Sequence, residues 1–124
     1  MRIFCYILVS AVLAYAGCSS SDITSPNDIV FPATHVSFKA QVEPLFSISC
    51  NIAGCHSFDS QAGGVDLTSW FGARNPLVVN QPGDTTCNLI LVIYGRVFHN
   101  GPININNNNR QGLKQWVIEG AQNN

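Results

Sequence analysis

The sequence predicts a small, mostly α-helical domain, and three observations carry that expectation. Phe38, Val42, Leu45, Phe46 and Ser49 fall at i, i+4, i+7, i+8 and i+11, the spacing of one helix face. Leu113, Trp116, Val117 and Gly120 follow i, i+3, i+4 and i+7 near the other end. The length left for folding, roughly 90 residues, allows a single domain that buries only a modest fraction of its surface.

The first element is an export signal over residues 1–17. Arg2 supplies one positive charge ahead of the uncharged apolar stretch from Ile3 to Ala16. That stretch is too short to span a bilayer comfortably. It closes on Ala16-Gly17-Cys18, small residues running into a cysteine, which resembles a bacterial lipoprotein signal. Tyr15 departs from that pattern, where a smaller aliphatic residue is usual. The plainer alternative is a secretory signal with an incidental cysteine. On the lipoprotein reading Cys18 carries a lipid anchor, residues 18–35 form a polar tether rich in Ser, Asp, Asn and Pro, and residues 36–124 form the domain. The protein is then exported and held on a membrane, facing the periplasm or the cell surface. Without residues 1–17, five Lys and Arg stand against seven Asp and Glu. No basic patch is interleaved with aromatics, which excludes nucleic acid as a partner class.

The elements of the domain follow in order. Pro44 interrupts the first helix, which therefore starts near Glu43 or kinks there. It leads straight into Cys50. After Gly63-Gly64, residues Val65 to Phe71 read as a short helix or turn. Gln81-Pro82-Gly83-Asp84 is turn chemistry, and Thr85 or Thr86 can N-cap what comes next. Leu89 to Tyr94 is uniformly apolar, and propensity alone makes it a strand as readily as a buried helix. An asparagine-dominated loop spans Gly101 to Asn109. The last helix follows, with Asn108 and Gln111 spaced as a capping box.

The chemistry sits in Cys50-Asn51-Ile52-Ala53-Gly54-Cys55-His56. Two close cysteines followed directly by a histidine are the pattern that holds a c-type haem. The thiols form thioethers to the porphyrin and the imidazole reaches the iron. Two residues between the cysteines are usual, whereas here there are four. Export agrees with the motif, because thiols outside the cytoplasm do not stay free without a reason. The cysteine count is odd once Cys5 leaves with the signal and Cys18 takes lipid. Cys50, Cys55 and Cys87 remain, and one is left over whether a haem or a disulfide takes two. A zinc site of Cys50, Cys55, His56 and Cys87 is a further arrangement, weakened by the lack of a second close ligand pair.

The order of these parts resembles the small single-haem cytochrome c domains of exported bacterial lipoproteins, including the planctomycete-type cytochrome c domains. The likeness runs from Val36 to Asn124. Val42-Glu43-Pro44-Leu45-Phe46 before Cys50 is similar to the family's first helix, and Cys50 to His56 to its haem site. Gly63-Gly64-Val65-Asp66-Leu67-Thr68-Ser69 is similar to its glycine-rich turn. Val79 with Pro82-Gly83-Asp84, then Leu89-Ile90-Leu91, resembles its next turn and buried helix. Leu113 to Val117 with Glu119-Gly120-Ala121 resembles its closing helix. The resemblance implies a cytochrome c-like helical domain wrapped around one covalent haem c, and helix over residues 87–95.

In the family a Met-Pro pair before the last helix supplies the sixth iron ligand. The equivalent place here is near Gly101-Pro102, and the only methionine in the chain is Met1. The replacements are His99, in the same loop, or His35, ahead of the first helix; otherwise the position is open. Trp70 and Phe71 line a haem pocket or are plain core, Trp116 is helix-packing core, and Arg96 pairs with a propionate or is solvated. Asp59, Asp66 and Asp84 are loop or cap residues. The expected function is one-electron transfer between extracytoplasmic redox proteins, by a carrier rather than an enzyme. Cys50 and Cys55 would be the thioether positions and His56 the proximal ligand. The alternative is a haem-free surface-binding or structural module of the same fold, with a Cys50–Cys55 or Cys55–Cys87 disulfide.

Overall fold

The computed structural model describes residues 22–124. The export signal, Cys18 and the start of the tether lie outside the described residues. Every regular element among those described is helical, with no strand. A 3-10 turn, Pro26–Asp28, comes first. A π-helical turn, Phe38–Val42, then runs into helix α1, Glu43–Ser49. After a second 3-10 turn, Ala62–Gly64, come α2, Trp70–Ala73, α3, Asn88–Ile93, and α4, Asn107–Ile118. None of these helices is long and apolar enough to cross a membrane.

Pro44 explains the π turn. It has no N–H to donate, and its ring crowds the carbonyl four residues back. The chain widens ahead of it: Val42 N–H donates to Ser37 O at 3.3 Å and Glu43 N–H reaches Phe38 O. The helix thus bulges at Pro44 without breaking. Phe38, Val42, Leu45 and Phe46 all turn into the core, as their spacing requires. From α4, Leu113, Trp116 and Val117 meet them, and the Phe38 and Trp116 ring centres lie 5.7 Å apart.

Residues 88–93 are helical rather than extended. A buried strand needs a partner for its backbone groups, and the described residues offer none, so those groups pair within the segment. Leu89, Ile90 and Ile93 face the core. Cys87, not Thr85 or Thr86, occupies the N-cap position, and no side chain caps this helix. Thr86 turns back instead, giving its N–H and hydroxyl to Asp84. Asp66 and Thr68 repeat that arrangement, so α2 starts later than expected, capped by Ser69. These bonds, the threonine hydroxyl first, hold the Asp66 and Asp84 carboxyls below the ordinary range.

Helix α4 gathers the rest. Its capping box is Asn106 with Asn109, two residues before the Asn108–Gln111 pair expected. Four successive asparagines offer the same cap chemistry, and burial selects among them. Asn109 is fully enclosed and its amide also donates to Pro26 O and Ile29 O, at 3.1 and 3.2 Å. Those bonds draw the expected tether into the fold. Ile29 and Phe31 are buried, and the Phe31 backbone exchanges hydrogen bonds with the Asn108 amide. The packed domain therefore begins near Ser25, well ahead of residue 36. The Ile29/Phe31 alternation is the sequence signal for this strap. At the far end of α4 the Glu119 carboxylate accepts N–H bonds from His35 and Val36 at 2.7 and 2.8 Å.

Two outcomes follow from these contacts. A Cβ on Gly112 would lie 2.0 Å from Phe31 Cγ. Gly112→Ala gains about 1 kcal/mol of helix propensity, but overpacking costs about 1–3 kcal/mol. Urea unfolding should show net destabilisation, and Phe31→Ala should cost less in that background than alone. The Glu119 carboxyl is held below its ordinary 4.5 by the Gln115 amide first, then by the backbone N–H groups of Val36 and His35. A carboxyl with a lower pKa folded than unfolded contributes stability that is full above 4.5 and is lost as pH falls through the lowered value. The urea midpoint should drop below pH 4.5, and Glu119→Gln should flatten part of that dependence.

Candidate functional site

Helix α1 delivers the chain directly to Cys50. The Phe46 carbonyl accepts both Cys50 N–H, at 2.9 Å, and Asn51 N–H, at 2.7 Å, so the helix unwinds in a wide turn. The residues between the cysteines then bulge outward, with Ile52, Ala53 and Gly54 exposed. Cys55 N–H returns to Ile52 O at 3.0 Å and His56 N–H to Cys50 O at 3.2 Å. Gly54 makes the reversal at a φ of 82°, in the left-handed region that favours glycine. The two additional residues are absorbed as a surface turn. Cys50, Cys55 and His56 still reach the wall of one cavity.

That cavity measures about 380 Å³, within the roughly 300–1,000 Å³ of small-molecule and cofactor sites. Val65, Leu67, Leu89, Val92, Ile93 and Ile103 give it apolar walls. His99 also lines it, carried by the loop after α3. The Nε2 atoms of His56 and His99 lie 3.5 Å apart, and the ring centres 5.8 Å apart. The difference is twice the ~1.15 Å radius of a five-membered ring with bonds near 1.33 Å. The two rings are therefore collinear through their Nε2 atoms, each pointing its nitrogen at the other.

The outer nitrogens fix what those inner nitrogens are. His56 Nδ1 lies 3.3 Å from Val65 O, and His99 Nδ1 lies 3.2 Å from Gly101 O. A carbonyl only accepts, so in the arrangement where each Nδ1 gives its only proton to that carbonyl, each ring presents an Nε2 lone pair. Two lone pairs then face each other, at a spacing longer than a good hydrogen bond. A metal cation between them satisfies both, and a ring N–H given to a backbone carbonyl is the usual outer partner of a metal-bound histidine. Imidazole–metal bonds of about 2.0–2.1 Å need a gap near 4 Å, so the pair opens by about half an ångström to take one. The donor set, the apolar walls and the two thiols fit a haem.

Burial governs the thiols. Cys50 is pushed up to about 12, by burial first and by the neighbouring Cys55 second. Cys87 is raised by its burial in the core and does not line the cavity. Cys50, Cys55 and Cys87 are all free, so neither disulfide of the haem-free alternative is formed. Among the described residues, no group of three or more His, Cys, Asp or Glu is arranged to hold a metal ion.

The remaining expectations sort as follows. His35 is exposed, with Nδ1 3.1 Å from Thr34 Oγ1, and does not line the cavity. Neither Trp70 nor Phe71 lines it: Trp70 is half-buried with its indole N–H on Ala121 O, and Phe71 is exposed. Trp116 is core, and Arg96 is exposed and away from the cavity wall. The sequence reading missed Phe98, a cavity-wall residue that is 91% exposed. Its signal was an aromatic beside a candidate ligand. Compared with known proteins, the chain matches no family model, no curated protein and no solved structure.

The Cys50 environment has a measurable consequence. Between pKa 9.0 and 12, the thiolate fraction at pH 8 falls by three orders of magnitude. The greater nucleophilicity of the more basic thiolate recovers about half of that logarithm. In the folded haem-free protein, iodoacetamide should label Cys50 on the order of 50-fold more slowly than in urea, as read by peptide mass spectrometry.

Proposed function

We propose that the protein is an extracytoplasmic c-type cytochrome: a cytochrome c-like helical domain around one covalent haem c, passing single electrons between redox proteins. The observation that carries this reading is the meeting of His56 and His99, 43 residues apart in the chain, as head-on imidazoles on a cavity shared with Cys50 and Cys55. Cys50 and Cys55 would hold the haem by thioethers, and His56 and His99 would hold its iron. When bound, haem supplies a reversible one-electron ferric/ferrous couple. The order of parts described for the small cytochrome c domains of bacterial lipoproteins supports the same reading.

The chain's own part is binding, orientation and exclusion of water. The Val65 and Gly101 carbonyls hold the two rings in the tautomer that leaves Nε2 as donor. The apolar walls keep the site at low dielectric. A second imidazole in place of a methionine thioether lowers the potential, since methionine ligation is the arrangement that raises it. An export signal over 1–17 and a lipid on Cys18 would put the carrier in the compartment where c-type haem is attached.

The test is expression with cytochrome maturation machinery, followed by a denaturing gel stained for haem. A haem-positive band of the expected mass is the outcome; a colourless band sinks the reading. The spectrum should be low-spin bis-imidazole, without the far-red band of methionine ligation. His99→Ala should turn the iron high-spin while the haem stays covalently attached, and His35→Ala should change nothing.

A further inference from the structure

The two histidines are held very differently. His56 is fixed on three sides: its N–H donates to Cys50 O, its carbonyl accepts Leu67 N–H at 2.9 Å, and its Nδ1 meets Val65 O. His99 has only its own loop behind it, through Gly101 O. Among the described residues, no backbone hydrogen bond joins 97–103 to the rest of the domain. Val97 and Phe98 within it are exposed, Phe98 almost completely. Gly95 and Gly101 bracket the histidine at φ of 65° and 134°, where the backbone turns without a Cβ to hinder it. Apart from partial packing of Ile103, the His56 contact is what ties this loop to the cavity.

Resting on the reading above, we infer that His99 is an exchangeable ligand: its loop swings out while His56 stays fixed, and the vacated side takes a small neutral diatomic such as carbon monoxide or nitric oxide. Local opening is cheapest where backbone hydrogen bonds are fewest, and among the described residues 97–103 has none to the rest of the domain. The ligand class follows from the walls. Of the polar side chains lining the cavity besides the cysteines and histidines, Ser49 gives its hydroxyl to Asn104 O at 3.2 Å and Asn88 its amide to Leu77 O at 3.1 Å. Among the described residues no lysine or arginine lines the cavity to stabilise an anion, whereas a neutral diatomic loses little by entering a mostly apolar space.

The chemistry is a substitution: the iron–His99 bond breaks, an iron–diatomic bond forms, and no electron changes hands. Because the diatomic binds only the open state, its apparent affinity carries the fraction of time the loop is open. The experiment is stopped-flow mixing of the ferrous holoprotein with carbon monoxide, followed in the Soret band. The observed rate should level off as carbon monoxide rises, at the rate of His99 release. In His99→Ala it should stay linear and be at least tenfold faster at equal carbon monoxide, and free imidazole should restore the low-spin spectrum. A ferrous protein that forms no adduct, or one whose rate His99→Ala leaves unchanged, overturns the inference while the cytochrome reading stands. A protein that takes up no haem overturns both. Amide exchange on the haem-free chain gives a further readout: 97–103 should exchange at least a hundredfold faster than 55–56, and equal protection counts against the loop opening.

Discussion

The Nε2 atoms of His56 and His99 face each other across 3.5 Å, an approach that a proton or a metal cation between them makes favourable, and the open side of this domain is built around that meeting. Each ring is turned to it from behind by a backbone carbonyl, Val65 on one side and Gly101 on the other. A cation held between the rings of the folded state alone would stabilise that state by mass action.

The frame that holds the fold together lies away from these rings. Helix α4 joins four parts of the chain through named contacts: the strap through Asn109 and Gly112, α3 through Arg110, the first helix through Trp116, and residues 35–36 through Glu119. Arg110 donates to Ile93 O at the end of α3, where the helix dipole favours a cation. None of these contacts involves a cavity-wall histidine or Cys50 or Cys55. The fold can thus be complete on one face while the other keeps a cavity, which would otherwise be expensive where the buried fraction of surface is small.

Much of this frame was legible. The apolar faces at 38–46 and 113–117 show in the helical spacing of their residues, and Phe38, Val42, Leu45, Phe46, Leu113, Trp116 and Val117 are all buried, the π turn ahead of Pro44 notwithstanding. What failed were choices among chemically equal neighbours. Four asparagines in a row all suit a cap, and only the strap arriving from 80 residues away decides that Asn109 goes inside. The strap itself hid in a polar stretch, because two apolar residues at i and i+2 are a weak signal beside Ser, Asp, Asn and Pro. Residues 89–93 could not be told from a strand locally, since the deciding fact is that the described chain offers no strand to pair with. Cys50, Cys55 and His56 were readable as a motif and His99 as a candidate in the loop before the last helix. Their head-on geometry was not, because it is set by carbonyls, which every residue carries.

The four-residue cysteine spacing is explained by the same backbone. A tight spacing brings two thiols and the following imidazole together by keeping them on one turn. Here the chain leaves that turn at Cys50, runs out through Ile52 and Ala53, and comes back at Gly54, whose positive φ makes the return short. The His56 N–H to Cys50 O bond closes the excursion, so the position of the imidazole depends on where the loop closes and not on how many residues it holds. Nothing comparable closes the loop that carries His99. One histidine is thus mounted on a hydrogen-bonded ring of backbone next to Cys50 and Cys55, and the other on an open span between glycines. That asymmetry is a property of the apoprotein fold, present before anything is bound between the rings.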